Sequence, residues 1–133
     1  MTTRGGCLCR AVRYEIRGPI RGVLVCHCVE CRRWCGQAWA ATAARRDDLA
    51  VTSNAALSWI ASPASDTNAR RGFCAECGSC LFWDAPGFDA IAVAAGSVDD
   101  PTGLEVIGHT YVGQAAGYAV VPGDVAGHTG LPT

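Results

Sequence analysis

The sequence predicts a mainly β chain, built as small antiparallel sheets and organised by zinc-cysteine sites. Three observations carry this. Apolar residues alternate with polar ones in short runs, and no segment sustains the period of an amphipathic helix. Turn signals at Gly18-Pro19, Ser53-Asn54, Ser62-Pro63, Ala85-Pro86-Gly87 and Asp99-Asp100-Pro101 break the runs roughly every ten residues. Nine cysteines stand in 133 residues, and seven of them form two tight pairs and a triplet, at 7 and 9, at 74 and 77, and at 26, 28 and 31.

The elements follow in order. Val12, Tyr14 and Ile16 alternate with Arg13, Glu15 and Arg17, as in a strand with one wet face. Residues 22–25 form a short apolar run that leads into Cys26, and a single helical turn is expected after Cys28. Runs at 37–42, 49–52 and 57–60 read as further strands. The polar stretch 62–71 reads as a mobile loop. Phe73, 81–83, 91–94 and 106–112 complete the strand set, with a helical turn expected around Pro101-Thr102-Gly103. The tail from Gly123 is rich in Gly and Pro and is expected to be irregular. There is no internal repeat or linker, so residues 1–133 are expected to form one domain.

Composition narrows the function. Half the residues are hydrophobic and 17% are charged, which fits a packed chain and excludes disorder. All eleven basic residues are arginine, scattered or paired, and the net charge is −1. No nucleic-acid partner is expected from so little bulk charge. The pairs Arg45-Arg46 and Arg70-Arg71 read as solvated, while Arg32-Arg33 abuts a cysteine triplet. The N-terminal residues contain no apolar stretch like that of a signal peptide. The longest apolar run, around 90–95, is too short to span a bilayer. No membrane partner and a cytoplasmic location are therefore expected, where thiols stay reduced and available to metal.

The cysteines divide into a set of four and a set of three. Cys74-x-x-Cys77 is followed by Gly78, which suits the tight turn of a zinc knuckle. Such a pair needs two more ligands, and Cys7-x-Cys9 can supply them, closing a structural zinc across most of the chain. The competing reading is four ordinary buried cysteines. Cys26-x-Cys28-x-x-Cys31 offers three thiolates, leaving a fourth position for water or a substrate thiol. That makes this second zinc the candidate reactive centre, held at partial occupancy. Cys35, one helical turn after Cys31, would close the site if it pointed inward. Cys80 is either a spare ligand of the knuckle or a small core residue or free thiol. His27 is a packing or surface histidine, or a proton carrier beside the metal. His109 is a core histidine or a secondary catalytic candidate, as is Arg32. Trp34, Trp39, Trp59 and Trp83 read as core.

These motifs resemble those of the GFA family, the family of the glutathione-dependent formaldehyde-activating enzyme. Gly5-Gly6-Cys7-Leu8-Cys9-Arg10, Cys26-His27-Cys28-Val29-Glu30-Cys31-Arg32-Arg33 and Phe73-Cys74-Ala75-Glu76-Cys77-Gly78-Ser79-Cys80-Leu81 look like its three cysteine motifs, in order. Ala95-Gly96-Ser97-Val98-Asp99-Asp100-Pro101 and His109-Thr110-Tyr111-Val112 fit its C-terminal half. Where the family often carries Lys-Ala-Pro-Trp, this chain has Ala115-Ala116-Gly117-Tyr118. The resemblance implies a β-tent fold, one zinc on Cys7, Cys9, Cys74 and Cys77, and a second on Cys26, Cys28 and Cys31. It also implies a carbon–sulfur lyase acting on a thiol–aldehyde adduct, with glutathione and formaldehyde as type substrates. A zinc-stabilised binding module, and a thiol or metal sensor using Cys35 or Cys80, are the alternatives.

Overall fold

The computed structural model describes residues 1–131. The chain folds as two sheets. The smaller holds β1 (Thr2–Gly6), β2 (Arg13–Arg17) and β5 (Leu49–Ser53), antiparallel throughout in the order β1-β2-β5. The larger has eight strands. It adds β3 (Val23–Cys26), β4 (Trp39–Arg45), β6 (Leu57–Ala61), β7 (Arg70–Cys74), β8 (Cys80–Asp84), β9 (Ala90–Ala94), β10 (Val106–Thr110) and β11 (Ala126–Gly127). Its order is β11-β10-β3-β4-β9-β8-β7-β6.

The expected mainly β architecture is observed, with differences of detail. The second sheet is large, and β10 runs parallel to both β3 and β11, so this region is not purely antiparallel. β1 was not expected, because Thr-Thr-Arg-Gly-Gly carries no apolar alternation. It forms by pairing along β2. Gly5 in β1 has no room for a side chain: a Cβ there would lie 2.3 Å from the Tyr14 hydroxyl and 2.4 Å from the Ser97 carbonyl oxygen. The single turn expected after Cys28 is a two-turn helix, α1 (Val29–Cys35), ended by Gly36. The expected helical turn at 101–103 is a β-turn instead, closed by Leu104 N–H donating to Pro101 O. The irregular tail contributes β11, and its residues 132–133 lie outside the described residues.

The stretch 62–71 departs most from expectation. Ser62, Ala69 and Arg71 are buried, and β7 has already begun at Arg70. A run of polar residues looks solvated when read alone, but here the side chains bond inward. Ser65 Oγ accepts from the Thr67 and Ala69 amides, and Ser62 N–H donates to Ala69 O.

The core lies between the sheets. Val12, Tyr14 and Ile16 from the smaller sheet pack against Leu81, Phe82, Ile91 and Val93 of the larger. Tyr14 meets Phe82 edge-on at 5.6 Å, and its hydroxyl reaches Ser97 Oγ at 2.7 Å. Period-two alternation sends one face of β4 and β9 into this core and leaves the other facing outward. Ile91 and Val93 point inward. Ala41 and Ala43 of β4, registered with Ala94 and Ala92 of β9, lie on the opposite face, together with Cys26 opposite Trp39. The second cysteine group therefore opens on the outer face of the large sheet.

Candidate metal centres and the cleft between them and solvent

The first cluster joins two hairpins. Cys7 and Cys9 sit in the β1–β2 turn, Cys74 ends β7, and Cys77 lies in the turn before β8. All four Sγ atoms lie within 4.8 Å of one another. The Cys7–Cys9 separation is 3.6 Å and Cys9–Cys74 is 3.7 Å. A tetrahedral cation with bonds of about 2.3 Å sets its sulfurs about 3.8 Å apart, whereas a disulfide would need about 2 Å. The four thus fit a soft tetrahedral metal ion, and the nine cysteines are all free thiols.

Backbone amides hold these sulfurs in place. Val12 N–H donates to Cys7 Sγ at 3.2 Å and Cys77 N–H to Cys74 Sγ at 3.5 Å. Gly78, at φ +78, turns the knuckle so that its N–H reaches Cys74 O at 2.7 Å. The Ser79 hydroxyl beside Cys77 is the main cause holding that thiol down to about 5, so it ionises readily.

The second cluster sits at the β3–α1 junction. Cys26 closes β3, Cys28 caps α1, and Cys31 lies one turn into it. Their sulfurs also fall within 4.8 Å of one another. Cys28 Sγ accepts from the Cys31 amide at 3.3 Å, as a capping side chain does. Hydrogen bonds from Cys26, then from Cys31, hold Cys28 down to about 2, so it gives up the first proton of the trio. Three thiolates without a fourth fit a metal ion that keeps one position open.

Cys35 does not close the set. Its thiol is turned to Gln37 O at 2.8 Å. Cys80 is not part of the first cluster either. It approaches Trp34 O at 3.7 Å, at the far end of α1. Arg32 and Arg33 follow Cys31 round the helix and do not border the cleft described below.

Three residues the sequence reading passed over, or took as solvated, surround the trio. Arg71 is 4% exposed. It donates to Cys31 Sγ at 3.4 Å and to Ser62 Oγ at 2.9 Å, and its guanidinium lies over Trp34 at 5.1 Å. Glu30 accepts from the Ser62 hydroxyl and from Ala64 N–H at 2.8 Å, which ties the 62–67 loop to α1. Tyr111 holds a left-handed backbone, φ 52 and ψ 43. That costs an aromatic residue about 1–2 kcal/mol and marks a constrained site. Burial, then the negative charge of Cys26 and Cys28, keeps its phenol above the ordinary value, so it remains an O–H donor at neutral pH. Glu30 and Tyr111 lie inside the quoted motifs Cys26–Arg33 and His109–Val112, whereas nothing in the sequence singles out Arg71.

His27 is neither exposed nor in the cysteine cluster. His27 Nε2 lies 2.8 Å from His109 Nδ1, the two rings stack at 5.1 Å, and both are buried. Burial, then the facing His109 ring, lowers the His27 pKa, so His27 is neutral at pH 7. The pair bolts β10 to the end of β3 just behind Cys26.

A cleft of about 470 Å³ opens over the trio. Cys26, Cys28 and Cys31 stand at one end, with Arg71, Glu30 and Tyr111 beside them. The 62–67 loop forms one wall and the outer face of β4, β8 and β9 the floor. Among the described residues no helix is long and apolar enough to cross a membrane.

Comparison with known proteins places this arrangement. The profile of the family described as glutathione-dependent formaldehyde-activating enzyme, GFA, matches residues 2–114. The chain belongs to the GFA family. A Schizosaccharomyces pombe protein named "Uncharacterized lyase C29B12.13" is 29% identical over 80 residues, which are 59% of this chain. The chain spans only 55% of that relative. A crystal structure of a Rhodobacter sphaeroides protein superposes with a TM-score of 0.58 at 28% identity, covering 77% of this chain and 96% of its own.

Proposed function

We propose that this chain is a zinc-dependent carbon–sulfur lyase that joins and parts a small thiol and an aldehyde. One observation supports this above the rest: three thiolates converge at the end of a cleft while Cys35 is turned away to a backbone carbonyl. In this reading Cys7, Cys9, Cys74 and Cys77 hold a structural zinc, and Cys26, Cys28 and Cys31 hold the reactive one. The reactive zinc would supply a soft electrophilic site that carries a thiol as thiolate and polarises an aldehyde oxygen.

The chain's own residues set the conditions. Three thiolates carry more negative charge than one zinc ion cancels, and Arg71 beside Cys31 offsets the excess. Glu30 and Ser62 keep Arg71 in position. The Tyr111 phenol, held protonated, offers a donor near the trio. His27 and His109 act as packing and take no proton in this scheme, and Arg32 has no role. In the forward direction the thiol sulfur bonds to the carbonyl carbon, and the thiol proton ends on the carbonyl oxygen. The reverse direction breaks the same bond. Glutathione and formaldehyde are the partners named by the family description. One domain spanning 1–133, two zinc ions per chain and a cytoplasmic setting complete the reading.

The test is NMR exchange spectroscopy on zinc-loaded protein, because uncatalysed addition is itself fast. Exchange between thiol, aldehyde and adduct should accelerate. Cys28→Ser should abolish the acceleration while the first metal and the fold persist. No acceleration across a panel of thiols and aldehydes would leave a zinc-stabilised binding module.

A further inference from the structure

The outer face of the large sheet is built differently from its inner face. Along β9 the sequence Ala90-Ile91-Ala92-Val93-Ala94 alternates small and branched residues. The branched residues enter the core and the alanines face the cleft. Across the register, Ala43 of β4 sits opposite Ala92, and Trp83 of β8 lies on the other side of Ala92. Methyl side chains leave a trough, and Trp39, Trp83 and Phe88 rise around it. The trough is continuous with the three-thiolate end. The whole cleft, at about 470 Å³, falls within the range of sites for ligands far larger than a one-carbon aldehyde.

The charges along the cleft are already committed. Arg71 is held by Cys31 and Ser62, with Glu30 4.0 Å away. Arg21 donates to Gly22 O at 3.1 Å and Ala41 O at 3.0 Å. Glu30 and Asp66, both on the cleft wall, match the two arginines in number. Arg32 and Arg33 lie off the cleft. Two arginines and two acids line the cleft, so these side chains give it no net positive charge to draw in a carboxylate, and an unpaired carboxylate is costly to desolvate.

We propose that the cleft selects an adduct whose carbon group next to the sulfur is bulky and apolar, aromatic or branched, over one bearing glutathione's carboxylates. This rests on the lyase reading above and names its substrate class. The apolar group seats on the Ala43–Ala92 floor between the tryptophans, with the sulfur toward Cys26, Cys28 and Cys31. It can belong to either partner. The chemistry is the same in both cases: thiol sulfur to carbonyl carbon, thiol proton to carbonyl oxygen, with no oxidant or reductant.

The experiment measures exchange with zinc-loaded full-length protein for glutathione with formaldehyde, 2-mercaptoethanol with benzaldehyde, and phenylmethanethiol with formaldehyde. Each rate is divided by the uncatalysed rate of the same pair. At least one aromatic pair should exceed the glutathione–formaldehyde pair by tenfold or more, the scale on which apolar pockets discriminate. The winning arm tells which partner carries the apolar group. Binding is read independently from the fluorescence of Trp39 and Trp83 on adding phenylmethanethiol or glutathione without aldehyde. Phenylmethanethiol should bind at least tenfold more tightly. Ala92→Phe and, separately, Ala43→Leu fill the trough and should erase that preference, with circular dichroism confirming that each variant folds. Acceleration that is equal or greater for glutathione and formaldehyde, with equal or tighter binding of glutathione, overturns the inference and leaves the lyase reading standing. Tight apolar binding without acceleration of any pair overturns the lyase reading and leaves the apolar selectivity intact.

Discussion

Replacing Arg71 by methionine tests whether a buried cation tunes the second cluster. Methionine keeps much of the volume and removes the charge. Arg71 makes one hydrogen bond to a thiolate at 3.4 Å, one to Ser62 at 2.9 Å, and a stacking contact over Trp34 at 5.1 Å. The charge-assisted bond is worth about 1.5–3 kcal/mol and the neutral one about 1 kcal/mol. The cation–π contact adds about 1 kcal/mol. Removing the guanidinium also removes the cost of desolvating it, so a net loss of about 2–3 kcal/mol in fold stability is expected. The part that reaches Cys31, about 1.5–3 kcal/mol, corresponds to a roughly 10- to 100-fold weaker metal at the second cluster. The first cluster, on the other side of β7, should be unaffected. Competition between the protein and a colorimetric chelator reads both affinities, and urea melts read stability. Arg71→Lys, which keeps a point charge but loses the fork, should fall between the two. A second-site affinity within threefold of wild type in Arg71→Met would refute the assignment of Arg71 to the metal centre.

Other expectations follow from the same geometry. Cys77→Ala should lose one zinc per chain and several kcal/mol of stability, because metal binding and folding are linked; elemental analysis and thermal melting check this. Mild chelation should strip the Cys26, Cys28 and Cys31 metal first and leave the sheets intact by circular dichroism; a single step losing both metals and the fold would contradict two separate roles. Gly5→Ala should destabilise by about 2 kcal/mol or more, since its Cβ would meet the Tyr14 hydroxyl and a backbone oxygen. Burial opposes ionisation of Asp84, but Arg46 at 2.7 Å and Arg70 at 3.0 Å outweigh it and hold the carboxyl below its ordinary value. A depressed folded pKa contributes stability above the unfolded value of about 4 and loses it as pH falls through the folded one. The gap in urea midpoint between wild type and Asp84→Asn should therefore be widest near neutrality and shrink below about pH 4; a gap that grows in acid would reverse the sign.

By itself the sequence determined the cysteine grouping, the mainly β class and most strand positions. These are local properties. Ligand spacing is a matter of one or two residues, and the alternation of Val12, Tyr14 and Ile16 reports a face directly. β1 and β11 escaped because their strands exist through partners, not through apolar pattern. The tertiary structure decided the rest. Whether Cys35 joined the trio depended on the winding and exit of α1, which end with its thiol on Gln37. The burial of Arg71 depended on Glu30, Ser62 and Trp34 arriving from other elements; a charged residue in a polar stretch carries no local sign of that. His27 found His109 only because β3 and β10 run side by side, 82 residues apart in the chain. The alanines of β4 and β9 read as small strand residues until register placed them on one face and made a trough. Metal ligands close in sequence can be read from spacing, whereas the shape and charge of the space they face arise from contacts that no short window contains.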